Sequence, residues 1–259
     1  MAKIVAIVNQ KGGVGKTSTA HALITGLHAY GYKVLAIDLD PQTNLTYTSG
    51  NFPDLPTLYD AFTGKASIQD VITKSSVGYD VTPGDISFSS ADMEFTAKNK
   101  TFILKGLLEP IKENYDYCII DTPPTLGILT INALSTSDKA IIPMNADIYS
   151  AQGLSQLWSL MDSVRTYCNP DLIAAGILIN RFNARSVINR QINDSIYDIA
   201  KTLNTHVFMS HIREAVAVKE VQYMQGSLFR DYPSAKVTSD YWHFIDEFLG
   251  KPVVINTIK

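Results

Sequence analysis

Short runs of consecutive apolar residues alternate along the chain with longer stretches in which apolar residues return every three or four positions. The short runs read as strands buried on both faces, as in a parallel sheet, and the longer ones as helices with one apolar side. Residues 3–8, Lys33 to Asp40, Tyr117 to Asp121, Lys139 to Pro143 and Ala174 to Ile179 are the predicted strands. Helical spacing places Ala20, Leu23, Ile24 and Leu27 on one face, with Gly31 set to end that helix. Further helices follow from Ile103, Leu104, Leu107, Leu108 and Ile111 within 102–113, and from Leu154, Leu157, Trp158, Met161 and Val164. Ile188, Ile192, Ile196, Ile199 and Leu203 mark another, and Lys236 to Leu249 the last, stopped by Gly250. Trp158 and Met161 fit a core face better than a cofactor box. The stretch 41–56, rich in Pro, Thr, Asn and Gly, reads as a long loop. Thr57 to about Lys74 holds two short helices with Leu58, Phe62, Ile68, Val71 and Ile72 inward. Between Val77 and Met93 only Tyr79 to Thr82, followed by Pro83-Gly84, suggests a strand and turn. Strand–helix alternation over the whole length predicts an α/β fold: a single doubly wound, mostly parallel sheet flanked by helices, one domain over residues 1–259 without repeats.

Composition narrows the classes. The chain has 259 residues, 46% of them apolar, enough for one substantial core. A formal charge of −3 makes it no polycation, so any contact with nucleic acid must come from a local patch. The two cysteines, Cys118 and Cys168, offer no metal-site spacing and read as buried small hydrophobes in a reducing compartment. The longest apolar run, Leu172 to Ile179, is too short to span a bilayer. The first strand begins at Lys3, leaving no room for a signal peptide. A soluble, cytoplasmic protein is expected.

The candidate chemistry gathers around Lys11-Gly12-Gly13-Val14-Gly15-Lys16-Thr17-Ser18, set between the first strand and the first helix. That is the setting of a phosphate-binding loop: glycines let backbone N–H groups converge on phosphate oxygens, Lys16 adds a cation, and Thr17 offers a hydroxyl to Mg²⁺. The loop departs from the usual pattern at Gln10, where a glycine is expected, and it carries a second lysine, Lys11. Asp38 and Asp40 end the second strand on the same side, at the carboxyl edge where doubly wound sheets hold ligands; solvated turn aspartates before Pro41 are the plainer reading. Asp121 ends another buried strand and precedes Thr122-Pro123-Pro124, in the manner of a metal-supporting aspartate followed by a γ-phosphate-sensing loop. Asn180-Arg181 follows the last strand. Asn180 suits an adenine edge, and equally a turn cap. Arg181, Arg185 and Arg190 lie within ten residues of one another; they form either a phosphate grip or a solvated face.

Taken in order, Asn9 to Thr17, Asp38-Leu39-Asp40-Pro41-Gln42 and Asp121-Thr122-Pro123-Pro124 resemble the ParA/Soj-type ATPases of plasmid and chromosome partition, within the deviant-Walker group of P-loop NTPases that includes MinD. The likeness extends over nearly the whole chain, through Ile212 to Glu220 and Asp231 to Ser234. The resemblance implies ATP and ADP as ligands, with Mg²⁺, and an ATP-dependent sandwich homodimer that hydrolyses ATP slowly. It implies that Lys11 reaches the phosphates of the partner copy and that Gly12, Gly13, Val14, Gly15, Lys16, Thr17 and Ser18 cradle those of its own site. Asp40 then orients the attacking water, Thr17, Asp38 and Asp121 support the metal, and Asn180 with Arg181 lies on the base side. It also implies non-specific DNA binding by the ATP-bound dimer, a nucleoid-associated location, and a ParB-like adaptor that reads the centromere and stimulates hydrolysis. Arg185, Arg190, Arg213 and Lys219 are the candidate DNA contacts; Ala217 stands where many relatives carry a further arginine. No N-terminal helix-turn-helix is expected. A MinD-like membrane-associated regulator of the division site is the alternative, disfavoured by Asp40-Pro41-Gln42 and by a weakly basic tail. An iron–sulfur carrier lacks paired cysteines, and an amide-forming ligase lacks an obvious second substrate motif.

Overall fold

The apolar runs line up as one seven-stranded sheet in a computed structural model that describes residues 1–95, 98–147, 150–182 and 187–251. Its strands are β1 (Lys3–Ile7), β2 (Val34–Asp38), β3 (Thr73–Lys74), β4 (Asp80–Thr82), β5 (Tyr117–Asp121), β6 (Lys139–Asn145) and β7 (Ile173–Asn180). They lie in the order β3-β4-β2-β5-β1-β6-β7, parallel throughout except β3, which runs antiparallel to β4. The helices are α1 (Lys16–Ala29), α2 (Asn44–Ser49), α3 (Leu58–Thr63), α4 (Ile68–Val71), α5 (Ala91–Glu94), α6 (Ile103–Leu108) and α7 (Ile128–Thr136). They continue with α8 (Ser150–Tyr167), α9 (Val187–Thr202), α10 (Val216–Tyr223), α11 (Leu228–Asp231) and α12 (Lys236–Phe248).

Side chains of a strand alternate between faces, and here the alternation sorts the core into two layers. Ile4, Ala6, Leu35, Ile37, Cys118 and Ile120 face a layer built by α3 to α9. Val5, Ile7, Val34, Ala36, Tyr117 and Ile119 face the other, built by α1, α2 and α10 to α12. Every residue of β2 and β5 is buried, which is why both read as unbroken apolar runs. Full burial of a side chain such as Leu27 or Ile245 contributes about 1.5–3 kcal/mol each. β5 lies centrally between β1 and β2, so the phosphate loop after β1, Asp38 and Asp121 come together at one carboxyl edge.

The structure departs from the pattern-based reading in several places. The stretch 41–56 contains α2, the helix expected over 102–113 contracts to Ile103–Leu108 between 3₁₀ turns, and β3, α5, α7, α10 and α11 are additional. Cys118 is buried, and burial pushes its thiol up to about 12, but Cys168 is only half-buried. Both edges of the sheet are covered or cut short: β3 has two residues, and isolated bridges from Val207 and Ile212 run along β7. Among the described residues no helix is long and apolar enough to cross a membrane. The tail residues Val253, Val254 and Ile255 lie outside the described residues.

Candidate active site

The loop between β1 and α1 is shaped by its glycines and its neighbours. Gly15 caps α1 in the left-handed region, φ 90°, and a Cβ there would also press on the Asn180 amide. Asn9 holds the start of the loop: its Nδ2 donates to the Pro143 carbonyl at 2.8 Å and its Oδ1 accepts from the Lys11 amide at 2.9 Å. Lys16 is the first residue of α1 and is buried, its Nζ donating to the Lys11 carbonyl at 3.4 Å. The two lysines therefore sit differently. Lys11 is one-third exposed and forms an ion pair with Asp147, Nζ to Oδ2 2.5 Å. Gly12, Gly13, Lys16, Thr17, Ser18 and Asp40 line a cleft of about 550 Å³, with Pro124 and Arg181 on its rim.

Three carboxylates stand behind this cleft, and their partners differ. Asp38 is fully engaged: Oδ1 accepts from the Asp40 amide at 3.1 Å, and Oδ2 accepts from the Thr46 amide and hydroxyl at 2.8 and 2.6 Å. Asp40 accepts from the Gln42 amide at 2.9 Å. Asp121 is buried, and neither of its oxygens meets a hydrogen-bond partner. Burial pushes the Asp121 carboxyl well above the usual range, and the Asp38 charge pushes it further; Thr17, close by, and Lys16 oppose the shift. Burial likewise raises Asp38 to about 6, against the pull of its Thr46 hydrogen bonds, and raises Asp40 against Gln42 and Lys16. Lys16 is lowered by burial and supported by Asp121 and Asp40. The corner thus holds more buried negative charge than one lysine neutralises. A partnerless carboxylate under a phosphate loop fits a divalent cation that completes its shell with phosphate and water oxygens. Among the described residues no closed cluster of three His, Cys, Asp or Glu offers a metal cage.

Across the loop, around Asn180, the hydrogen bonding is mostly satisfied. Asn180, buried at the end of β7, donates from Nδ2 to the Val14 carbonyl at 2.8 Å and to Thr19 Oγ1 at 3.2 Å, while its Oδ1 is buried without a partner. Of the donor and acceptor that the amide carries, only the acceptor is left for a ligand. A smaller cavity of about 160 Å³ opens there, lined by Gly15, Ser18, Asn180, Arg181, Lys219 and Tyr241 among others. Arg181 follows β7 in the left-handed region, φ 52°, and borders both spaces.

Sequence reasoning missed Asp147, which holds Lys11, and Thr46, which holds Asp38. Asp147 lies two residues beyond a strand's carboxyl end, a position that could have marked it. Gln222, whose Nε2 donates to Ser18 Oγ at 3.2 Å, had no local signal. Of the candidate DNA contacts, Arg185 and the side chain of Arg190 lie outside the described residues. Arg213 is ion-paired within the fold: Asp240 accepts from its Nε and Nη2 (2.6 and 2.8 Å) and from its amide as well. Lys219 is exposed on α10.

Residues 2–174 match the family described as AAA domain. The chain is 39% identical over 224 residues to the sporulation initiation inhibitor protein Soj of Bacillus subtilis, covering 85% of this chain and 87% of that protein. It is 35% identical over 234 residues to the chromosome partitioning protein ParA of Caulobacter vibrioides, covering 88% and 84%. Among solved structures, a cobyrinic acid a,c-diamide synthase from Mycobacterium smegmatis with bound ATP analogue and magnesium superposes with a TM-score of 0.84 at 27% identity, covering 96% of this chain and 94% of that one. That superposition shows a shared fold, whereas the higher identity over most of both chains lies with the partition proteins. The loop with two lysines, the strand-end aspartates and these relatives agree: the chain belongs to the ParA/Soj-type partition ATPases, in the ParA/MinD group of P-loop NTPases.

Proposed function

We propose that the chain binds Mg²⁺–ATP in the cleft above Lys16, pairs with a second copy while ATP is present, holds DNA without sequence preference in that paired state, and leaves it after hydrolysis stimulated by a ParB-like adaptor. The observation that carries this reading is the buried, partnerless Asp121 beside Lys16 at the foot of the glycine loop. The bound ATP analogue and magnesium of the M. smegmatis relative support the choice of ligand.

In this reading the loop amides of Gly12 to Ser18 and the Lys16 ammonium receive the phosphates, and Thr17 and Asp121 hold the cation. Bound Mg²⁺ neutralises developing charge on the transferred phosphoryl group. Asp38 keeps α2 and the Asp40 backbone in place through Thr46 rather than reaching the cation itself. Asp40, with one oxygen on the Gln42 amide, orients the attacking water. The Asn180 Oδ1 accepts from an exocyclic amino group, which adenine carries at position 6 and guanine does not. Lys11 serves the phosphates of the second copy. To do so it must leave Asp147, and an ion pair exposed to this degree is worth at most about 1 kcal/mol, far less than contact with a polyphosphate provides. DNA contact rests on Arg185, Arg190 and Lys219, without Arg213.

Calorimetry with ADP and a slowly hydrolysed ATP analogue, with and without Mg²⁺, tests the ligand. Size exclusion and DNA mobility shift in ATP, ADP and no nucleotide test the cycle. Binding that ignores Mg²⁺, or a single oligomeric state in all three conditions, would overturn the proposal.

A further inference from the structure

The loop that follows β5 carries Pro124 to the rim of the phosphate cleft and ends where α7 begins. Its near end is fastened inside the fold, with the Thr122 hydroxyl donating to the Ile7 carbonyl at 2.8 Å. At its far end the Thr130 hydroxyl donates to the Thr125 carbonyl at 2.6 Å, tying the loop to the first turn of α7, but the helix start itself has no local cap: Gly127 brings no side chain, and the first turn contains no acidic residue. The missing group arrives from elsewhere in the chain. Asp92, on α5, accepts from the Ile128 amide through Oδ1 at 2.6 Å, a short charge-assisted bond at the positive end of a nine-residue helix. Gly127 itself has an ordinary negative φ of −87°, so backbone geometry does not demand glycine there. Space does so only while Asp92 keeps its place: a Cβ at Gly127 would overlap both carboxylate oxygens, which the exposed side chain could withdraw only by giving up the helix end. The glycine and the carboxylate are fitted to each other.

Resting on the ATPase reading above, we propose that Asp92 is a positioning residue for the γ-phosphate side of the site: by anchoring the start of α7 it sets the segment 123–127 and so the ability of the cleft to tell ATP from ADP. Asp92 touches neither nucleotide nor metal in this assignment. It lies on the surface, so its loss opens no core cavity, while Pro124 of the loop it holds lines the cleft together with Lys16 and Asp40.

The test compares Asp92→Ala, Asp92→Asn and Gly127→Ala with the unaltered protein. Asp92→Ala removes the acceptor, Asp92→Asn keeps an acceptor without the charge, and Gly127→Ala leaves Asp92 intact but crowds it off the helix end. Measured are Kd for ADP and for a slowly hydrolysed ATP analogue, kcat and KM for ATP, and thermal midpoint. The expected result is an ADP affinity and midpoint close to the unaltered protein, with the preference for the ATP analogue and kcat each reduced about fivefold to tenfold in Asp92→Ala and Gly127→Ala, as loss of one such bond predicts, and largely restored in Asp92→Asn. Unchanged preference and kcat in both Asp92→Ala and Gly127→Ala overturn the proposal. So does an equal loss of ADP and ATP-analogue binding accompanied by a lowered midpoint, which is what a merely structural contact would give. Failure of the unaltered protein to bind either nucleotide would instead sink the ATPase reading.

Discussion

The two ends of the nucleotide cleft are built on opposite principles. At the phosphate end Asp38, Asp40, Asp121 and Lys16 are crowded into a buried corner where burial works against nearly every charge. At the base end Asn180 has already spent its donors on Val14 and Thr19, and a single oxygen waits for a partner. On the function proposed above, the phosphate end is completed by its ligand, whereas the base end is preformed and selects. Changes at the first should act on turnover and cation dependence, and changes at the second on which nucleotide is preferred.

The sharpest way to break the contrast is Asp40→Ala. Turnover should fall roughly 100-fold to 10,000-fold, the range for a positioned base, while ATP still drives pairing on size exclusion; normal hydrolysis would remove the water-orienting role. Lys16→Ala should weaken ATP binding on the order of 100-fold in calorimetry, since the charge-assisted contacts to the phosphates are lost. At the other end Asn180→Ala should lower the preference for ATP over GTP by about tenfold, as expected for one buried polar contact, with kcat for ATP retained. If kcat falls as steeply as it does in Asp40→Ala, the two ends are not separate.

Acidity sharpens the comparison further. With Asp38 raised to about 6, the folded chain holds more protons than the unfolded chain between roughly pH 4 and 6, so this group's contribution to stability declines as pH rises through that window. His21, buried and lowered to about 4, works oppositely and costs stability as pH falls. Adding Mg²⁺ in the presence of ADP should cancel the His21 contribution in the difference and leave the carboxylates. The Mg²⁺-induced rise in thermal midpoint is therefore expected to grow as pH rises, because the cation must displace the proton that burial favours on Asp121. A rise independent of pH would mean that Asp121 does not hold the metal. The smallest expected effect is at Lys11: Asp147→Asn should lower the ATP concentration needed for pairing by a few-fold, in line with an ion pair one-third exposed.

Much of this was legible before the fold, and the parts that were not share a cause. The strands announced themselves because a buried parallel strand is apolar at every position, and the glycine loop because its residue types have few other uses. Several of the missing helices carry no local start signal, whereas α11, capped by its own Ser227, is too short at four residues to show a period. α2, Asn44 to Ser49, has poor helix formers behind Thr43 in the left-handed region; Asp38 organises it through Thr46. α7 starts after a glycine and borrows its cap from Asp92, and α10 starts after Ala215 without any side-chain cap. The partner of Arg213 was hidden for a related reason: charge shows in a sequence, but the Asp240 that pairs with it lies twenty-seven residues away.

The sheet's borders have a consequence for how such a chain lives at high local density. On one flank hydrogen bonding stops after the two residues of β3, whose Lys74 is exposed; on the other, the strand is escorted by the passage through Val207 and Ile212. An unprotected rim would invite strand-by-strand stacking of neighbours, indifferent to any ligand. With both rims closed to such growth, copies that meet can join only through other surfaces, and assembly stays under chemical control.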